Sequence, residues 1–237
     1  MSGYQQFGFG RNDDGVGNKS KRFKGEGGRR YRVSFAWWKG LDKGDMKLDS
    51  DTPEFLGAPR NYIPNVGYIV NRGPEYTKLA GGEAPRMAIG TILIVWPMDQ
   101  KGNLDKTALG NGDFEVVPWI FGQDKYRLLD PIHKDFHFGE HDLTISCTDT
   151  QYQKMAFTPC KDSLLAKIKE KGGSMWASIL EKVQAVAATI QGDIGREMTL
   201  DQIREKMAGG GTMGGGGGPS TSVATEDIDN LVDNLLD

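Results

Sequence analysis

At 237 residues, with 33 glycines and 38% hydrophobic residues, the chain is long enough for one substantial core and richer in glycine than a uniformly packed globule. No apolar run approaches bilayer-spanning length, and the first thirty residues lack the hydrophobic segment of a secretory signal. With only Cys147 and Cys160, no disulfide framework is expected, and a reducing cytoplasm is the expected compartment.

The net charge of −3 is unevenly spread. Between positions 19 and 32 stand Lys19, Lys21, Arg22, Lys24, Arg29, Arg30 and Arg32 against a single acid, Glu26. The last twelve residues carry Glu226, Asp227, Asp229, Asp233 and Asp237 and no base, so losing these five acids would move the chain from −3 to +2. One end suits a polyanion and the other imitates one.

In chain order, residues 1–28 mix Gly, Lys, Arg and Asn with scattered aromatics and show no period, which reads as a flexible basic arm. The body is expected over 29–208. Its first strand, RRYRVSFAW, alternates, with Tyr31, Val33, Phe35 and Trp37 on an inner face and Arg30, Arg32 and Ser34 on an open one. Residues 41–86 look loop-rich, with one short strand at 66–70. Strands are then expected at 87–96, 114–121, 141–148 and 154–158, the first two joined by the long Gly- and Asn-marked loop 98–113. Strands without alternating helices predict a mainly β body, an OB-like five- or six-stranded barrel, rather than a βαβ fold.

Beyond Pro159 the period becomes helical, over 163–171 and 174–191, with Trp176, Ile179, Leu180, Val183, Val186, Ala187 and Ile190 on one stripe. Thr199 and Gln202 have the spacing of a capping box opening a third helix. Positions 209–218 hold eight glycines in ten, so 209–225 reads as a linker. In the tail, 226–237, Ile228, Leu231, Val232, Leu235 and Leu236 fall on one helical stripe with acids opposite. Such a helix is marginal alone and folds when its stripe meets a groove. Asp227, Ile228, Asp229, Leu231, Val232, Asp233, Leu235, Leu236 and Asp237 are therefore candidate partner-binding residues, in a peptide that also competes with nucleic acid for the basic surface. A helix docked on its own body is the alternative.

Clustered cations interleaved with aromatics are the footprint of nucleic-acid binding. Trp37 and Trp38 must point to opposite sides of a strand, so one is a stacking platform for bases beside the arginines, with Tyr62 and Tyr68 as further candidates. His133, His137 and His141, with Cys147 and Cys160, raise the question of a metal. However, Pro131 and Gly139 argue against a continuous helix there, and Cys147 falls on the core side of LTISC, so structural histidines and buried thiols are favoured. No cofactor is expected. Phosphate-binding, dinucleotide, nucleophile-elbow and zinc-protease motifs are all missing, which favours a binding protein over an enzyme.

The segment VVPWIFGQDKYRLLDPI looks like the strand, Phe-Gly turn and short aromatic helix of the T-even type of phage protein, and HDLTISCTDTQYQKMAFTP is similar to the hairpin that follows it. With the basic arm and acidic tail, these resemble the replicative single-stranded-DNA-binding proteins of tailed bacteriophages. The cysteine-rich zinc insertion of the T-even type is missing. The resemblance implies an OB-type core, cooperative coating of exposed strands in the infected host's cytoplasm, the arm as a contact to a neighbouring protomer, and replication or recombination proteins as partners of the tail. A phage transcription cofactor that engages an RNA polymerase, a structural or assembly protein and a nuclease are the rival readings.

Overall fold

The computed structural model describes residues 22–36, 55–148 and 154–209. They form a mainly β body: one open antiparallel sheet of seven strands with helices on both faces. The strands are β1 (Arg30–Ala36), β2 (Leu56–Ile63), β3 (Gly67–Val70), β4 (Arg86–Trp96), β5 (Glu115–Gly122), β6 (Leu143–Cys147) and β7 (Met155–Pro159). The helices are α1 (Pro74–Leu79), α2 (Lys106–Gly110), α3 (Gln123–Asp135), α4 (Leu164–Lys171), α5 (Gly173–Ile194) and α6 (Leu200–Gly209).

The long strand β4 organises the rest. One edge pairs with β5 from Ala88 to Val95. The other edge takes two strands end to end: β2 opposite Arg86 to Gly90, then β1 opposite Ile92 to Trp96. β1 and β2 therefore act as one interrupted strand, with the break opposite Thr91. The buried Thr91 hydroxyl has no hydrogen-bond partner among the described residues. β6 continues from β1 and β7 from β6, while β3 pairs with β2. The path from β3 to β7 does not close, so the sheet is open and has more strands than the five or six expected.

The pleat of β4 assigns its two sides. Ala88, Ile92, Ile94 and Trp96 join Leu56, Ala58 and Val70 beneath α5, whose buried stripe is Ile179, Val183, Ala187, Ile190 and Ile194. Gly90 is on this side at the point of closest approach: a Cβ there would lie 2.8 Å from Ile194 Cδ1 and 2.9 Å from Ile120 Cδ1. On the other side Ile89 and Leu93 join Phe35, Trp119, Phe121, Leu129, Phe138 and Ile145. A third cluster, Ile63, Val66, Ile69, Tyr76, Met198 and Ile203, locks α1 and α6 behind the β2–β3 hairpin.

Two expectations change here. The segment before β1 is docked well upstream of Arg29. Phe23 is buried with its ring 5.2 Å from Tyr31 and 6.0 Å from Trp119, and its N–H donates to Pro118 O of β5 at 2.8 Å. Part of the stretch read as loop is β2. As expected, His133, His137 and His141 share no continuous helix, since α3 ends at Asp135; Pro131 lies inside α3, where it forfeits one backbone bond while Leu129 and His133 hold the helix to the core. At α6, Thr199 N–H donates to Gln202 Oε1 at 2.9 Å and Gln202 N–H to Thr199 Oγ1 at 3.3 Å, the reciprocal capping box read from the sequence.

Candidate nucleic-acid interface

Where α5 stops, the sheet face it covers continues to half-buried residues at the end of β2 and β3. A proline-led turn builds this end: Val66 N–H donates to Ile63 O at 3.0 Å across Pro64 and Asn65, and Asn65 takes the positive φ of 64° that Asn tolerates. Behind the hairpin, Ile63 and Ile69 are fully buried, and Asn61 bonds Glu83 O at 2.9 Å. The back being fixed, the alternating residues in front are held in register.

Those front residues are Arg60 and Tyr62 on β2, Tyr68 on β3 and Arg86 on β4. Tyr62 stands opposite Tyr68, with ring centroids 5.3 Å apart at 65°. Arg60 stands opposite Arg86, and directly opposed residues share a face. The Arg60 guanidinium carbon lies 3.9 Å from the Tyr68 ring centroid, and its Nη1 donates to Ile194 O, the last carbonyl of α5, at 3.1 Å. A helix C-terminus presents unsatisfied carbonyls and partial negative charge, which explains why an arginine settles there.

A second arginine uses the adjacent carbonyl. Arg22 Nη2 donates to Asp193 O at 3.2 Å and lies 3.6 Å from Asp193 Oδ1. The strand-like run after α5 then borders β3: Arg196 N–H donates to Tyr68 O at 2.9 Å, and Val70 N–H to Arg196 O at 3.0 Å. Arg72 pairs with Glu197 at 2.7 Å. Arg22, Arg60, Arg72 and Arg196 thus ring the end of α5, with Arg86 across the strand and Asp193 and Glu197 among them. Like charges placed directly opposite, as Arg60 and Arg86 are, disfavour each other.

The sequence-expected residues divide. Tyr62 and Tyr68 come together. Lys24 and Arg30 are exposed near the start of β1, and Arg29 is exposed with an ion pair to Glu26 at 2.8 Å. Arg29, Arg30 and Arg32 are at the far end of β4: Arg32 is opposite Trp96 whereas Arg60 is opposite Arg86, about 30 Å apart along the strand. Arg32 does not face open solvent as expected. Its Nε donates to Asp142 Oδ2 at 2.8 Å and its Nη2 to Asp162 Oδ1 at 3.0 Å, because two acids more than a hundred residues later fold against it. Ser34 is buried and donates to Asp142 while accepting from Trp96 Nε1 at 2.8 Å, and Leu164 N–H reaches Asp142 Oδ2 at 3.0 Å. Burial pushes the Asp142 carboxyl above the ordinary carboxylate range against the pull of these donors. For Arg32, burial works to lower the pKa, but its acids overcome that and leave it raised. Lys19, Lys21, Trp37, Trp38 and the whole tail set, Asp227 to Asp237, lie outside the described residues.

The remaining aromatics, histidines and cysteines are placed as follows. Trp96 and Trp119 are buried; Trp176 is half-buried with Lys169 Nζ 6.0 Å from its ring. His133 is buried and accepts from Phe138 N–H at 3.2 Å, His137 meets its ring edge-on, and His141 Nδ1 is 3.0 Å from Cys160 O. Cys147 is in the core as expected, and Cys160 Sγ is 3.4 Å from Thr144 Oγ1. Among the described residues no three His, Cys, Asp or Glu side chains are grouped to hold a metal, and no helix is long and apolar enough to cross a membrane.

Arg60 and Arg86 escaped the sequence reading. The signal for Arg60 was present in its i, i+2 spacing from Tyr62; the partnership with Arg86 follows only from register. No protein-family model, curated protein or solved structure matches the chain.

Proposed function

We propose that this protein is a non-enzymatic, OB-like binder of single-stranded DNA with little sequence preference, serving phage replication or recombination in the host cytoplasm. Its acidic tail competes with DNA for the basic surface and recruits partner proteins. The observation that carries the reading is the end of the sheet where the half-buried Tyr62 and Tyr68 meet edge-on beside Arg60 and the exposed Arg86. Tyrosine faces stack on any base, and arginines neutralise the phosphates between them. Affinity then depends on salt far more than on base sequence.

Fluorescence anisotropy with a labelled oligothymidylate at low salt tests this. Wild-type protein binds, and Tyr62→Ala and Tyr68→Ala each weaken binding by about 1–3 kcal/mol. No binding by the wild type at low salt would overturn the reading.

A further inference from the structure

We propose that two amides behind the tyrosine platform, Asn61 and Asn71, are positioning residues for it: they touch no nucleic acid and act by fixing Arg86 opposite Arg60. This deepens the nucleic-acid reading above and rests on it. Asn61 lies on β2 between Arg60 and Tyr62, so the pleat turns its side chain to the back of the hairpin, where it is only 4% exposed. A buried amide needs partners at both its nitrogen and its oxygen. Asn61 Nδ2 donates to Glu83 O at 2.9 Å, and Asn61 Oδ1 accepts from Asn71 Nδ2 at 2.6 Å. The Asn71 amide also donates to Thr77 Oγ1 at 2.8 Å and accepts from Gly73 N–H at 2.8 Å, while its backbone N–H donates to Pro59 O at 2.8 Å.

These bonds join the segments that carry the front of the site. Asn61 is flanked by Arg60 and Tyr62, and Asn71 leaves β3 just after Tyr68 and just before Arg72. Thr77 belongs to α1, and Glu83 stands a few residues before Arg86, where β4 begins. Between α1 and β4, Gly81 and Gly82 take positive φ values of 79° and 88°, so this connection has little stiffness of its own. The bond from Asn61 to Glu83 O anchors it where the chain turns into β4. A satisfied buried network stiffens what it joins, and here it holds Arg86 against Arg60 beside the tyrosines.

Neither amide is charged, so replacing one leaves the protein's charge as it was, and a change in salt dependence then reports a displaced cation. Full-length protein is titrated with a labelled oligothymidylate over a salt series, well below the thermal midpoint of each variant. Arg86→Ala is expected to weaken binding about tenfold and to lower the salt slope by about 0.7, the loss of one phosphate contact on a single strand. Asn61→Leu, close in size but without the amide, is expected to do the same, and the double variant to bind no worse than Arg86→Ala alone. Asn71→Ala leaves the bond from Asn61 to Glu83 in place and should act in the same direction with a smaller loss; it takes the place of Asn61→Leu in the cycle if that variant does not fold. An amide variant with a lowered thermal midpoint but wild-type affinity and salt slope would overturn the positioning role, leaving the nucleic-acid reading standing. Losses that add in full in the double variant, or an Arg86→Ala protein with an unaltered salt slope, would overturn it equally. Wild-type protein that binds no oligothymidylate at low salt would remove the nucleic-acid reading, and this inference with it.

Discussion

Arg32 at the Trp96 end of β4 and Arg60 with Arg86 at the opposite end project from the same face of the sheet, yet they do different work. Arg32 lies near α4, whose first turn and preceding loop bring Leu164 N–H and Asp162 to the site, while Asp142 comes from the approach to β6. Its charge is consumed in joining three parts of the fold. Arg60 and Arg86 lie past the end of α5, one on a tyrosine ring and a helix carbonyl, the other opposite it across the strand. Equal charges on equal strands thus become architecture or, as we propose, binding surface according to which helix arrives overhead.

The strongest way to break this contrast is to remove the acid at the locked end. Asp142→Ala leaves Arg32, Ser34 and Leu164 N–H facing a vacancy and is expected to cost about 3 kcal/mol in denaturant unfolding. On the proposed function, the salt dependence of oligonucleotide binding should stay unchanged, since the locked end is not the proposed binding end. A parallel change in salt slope would merge the two ends into one surface.

Gly90 marks the boundary between the part of the face beneath α5 and the half-buried part beyond it. Gly90→Ala forces Ile194 and Ile120 aside and is expected to cost about 1–3 kcal/mol, read from the thermal midpoint. Since Ile194 also supplies the carbonyl for Arg60, oligonucleotide affinity should fall with it. Unaltered affinity would show that the platform does not depend on the seating of α5.

The smallest expected effect concerns acid. Asp162 is held below the ordinary carboxylate range, chiefly by Lys167 and then by Arg32. A carboxylate with a depressed folded-state pKa stabilises the fold above its unfolded value near 3.9 and loses that contribution as pH falls through the folded value. Lys167→Met should therefore flatten the loss of stability below about pH 4. An acid limb identical to that of wild type would assign the effect to Arg32 instead. Asp142 has the opposite sign, because burial raises it, so acidification relieves its cost to the native state.

What the sequence revealed and what it hid follow from the range of the forces involved. β4, β6 and β7 and helices α4 to α6 were legible because each writes its own period and caps locally. β2 was not: Gly57, Pro59 and Asn61 interrupt the alternation of LGAPRNYI, and its strand character comes from β4 and β3 on either side. α3 was anticipated only through the resemblance of its QDKYRLLDPI to a short aromatic helix, and the local cost of Pro131 within it is outweighed by burying Leu129 and His133. Arg32 was misplaced because alternation reports which side a residue faces, not what will cover that side. Tyr62 and Tyr68 were visible as residue types, but their meeting depends on a turn whose register only the fold discloses.

The interrupted strand along β4 has a consequence for how this protein can change. Ala36 leaves opposite Ile92 and Leu56 returns opposite Gly90, two rungs apart and about 7 Å along β4. A segment whose ends are so close can lengthen at little thermodynamic cost, about 0.6 kcal/mol for each doubling, and can be exchanged without moving either flank. The break opposite Thr91 is thus a port: a place where evolution, or an engineer, can fit new recognition elements while the rungs on both sides keep their partners.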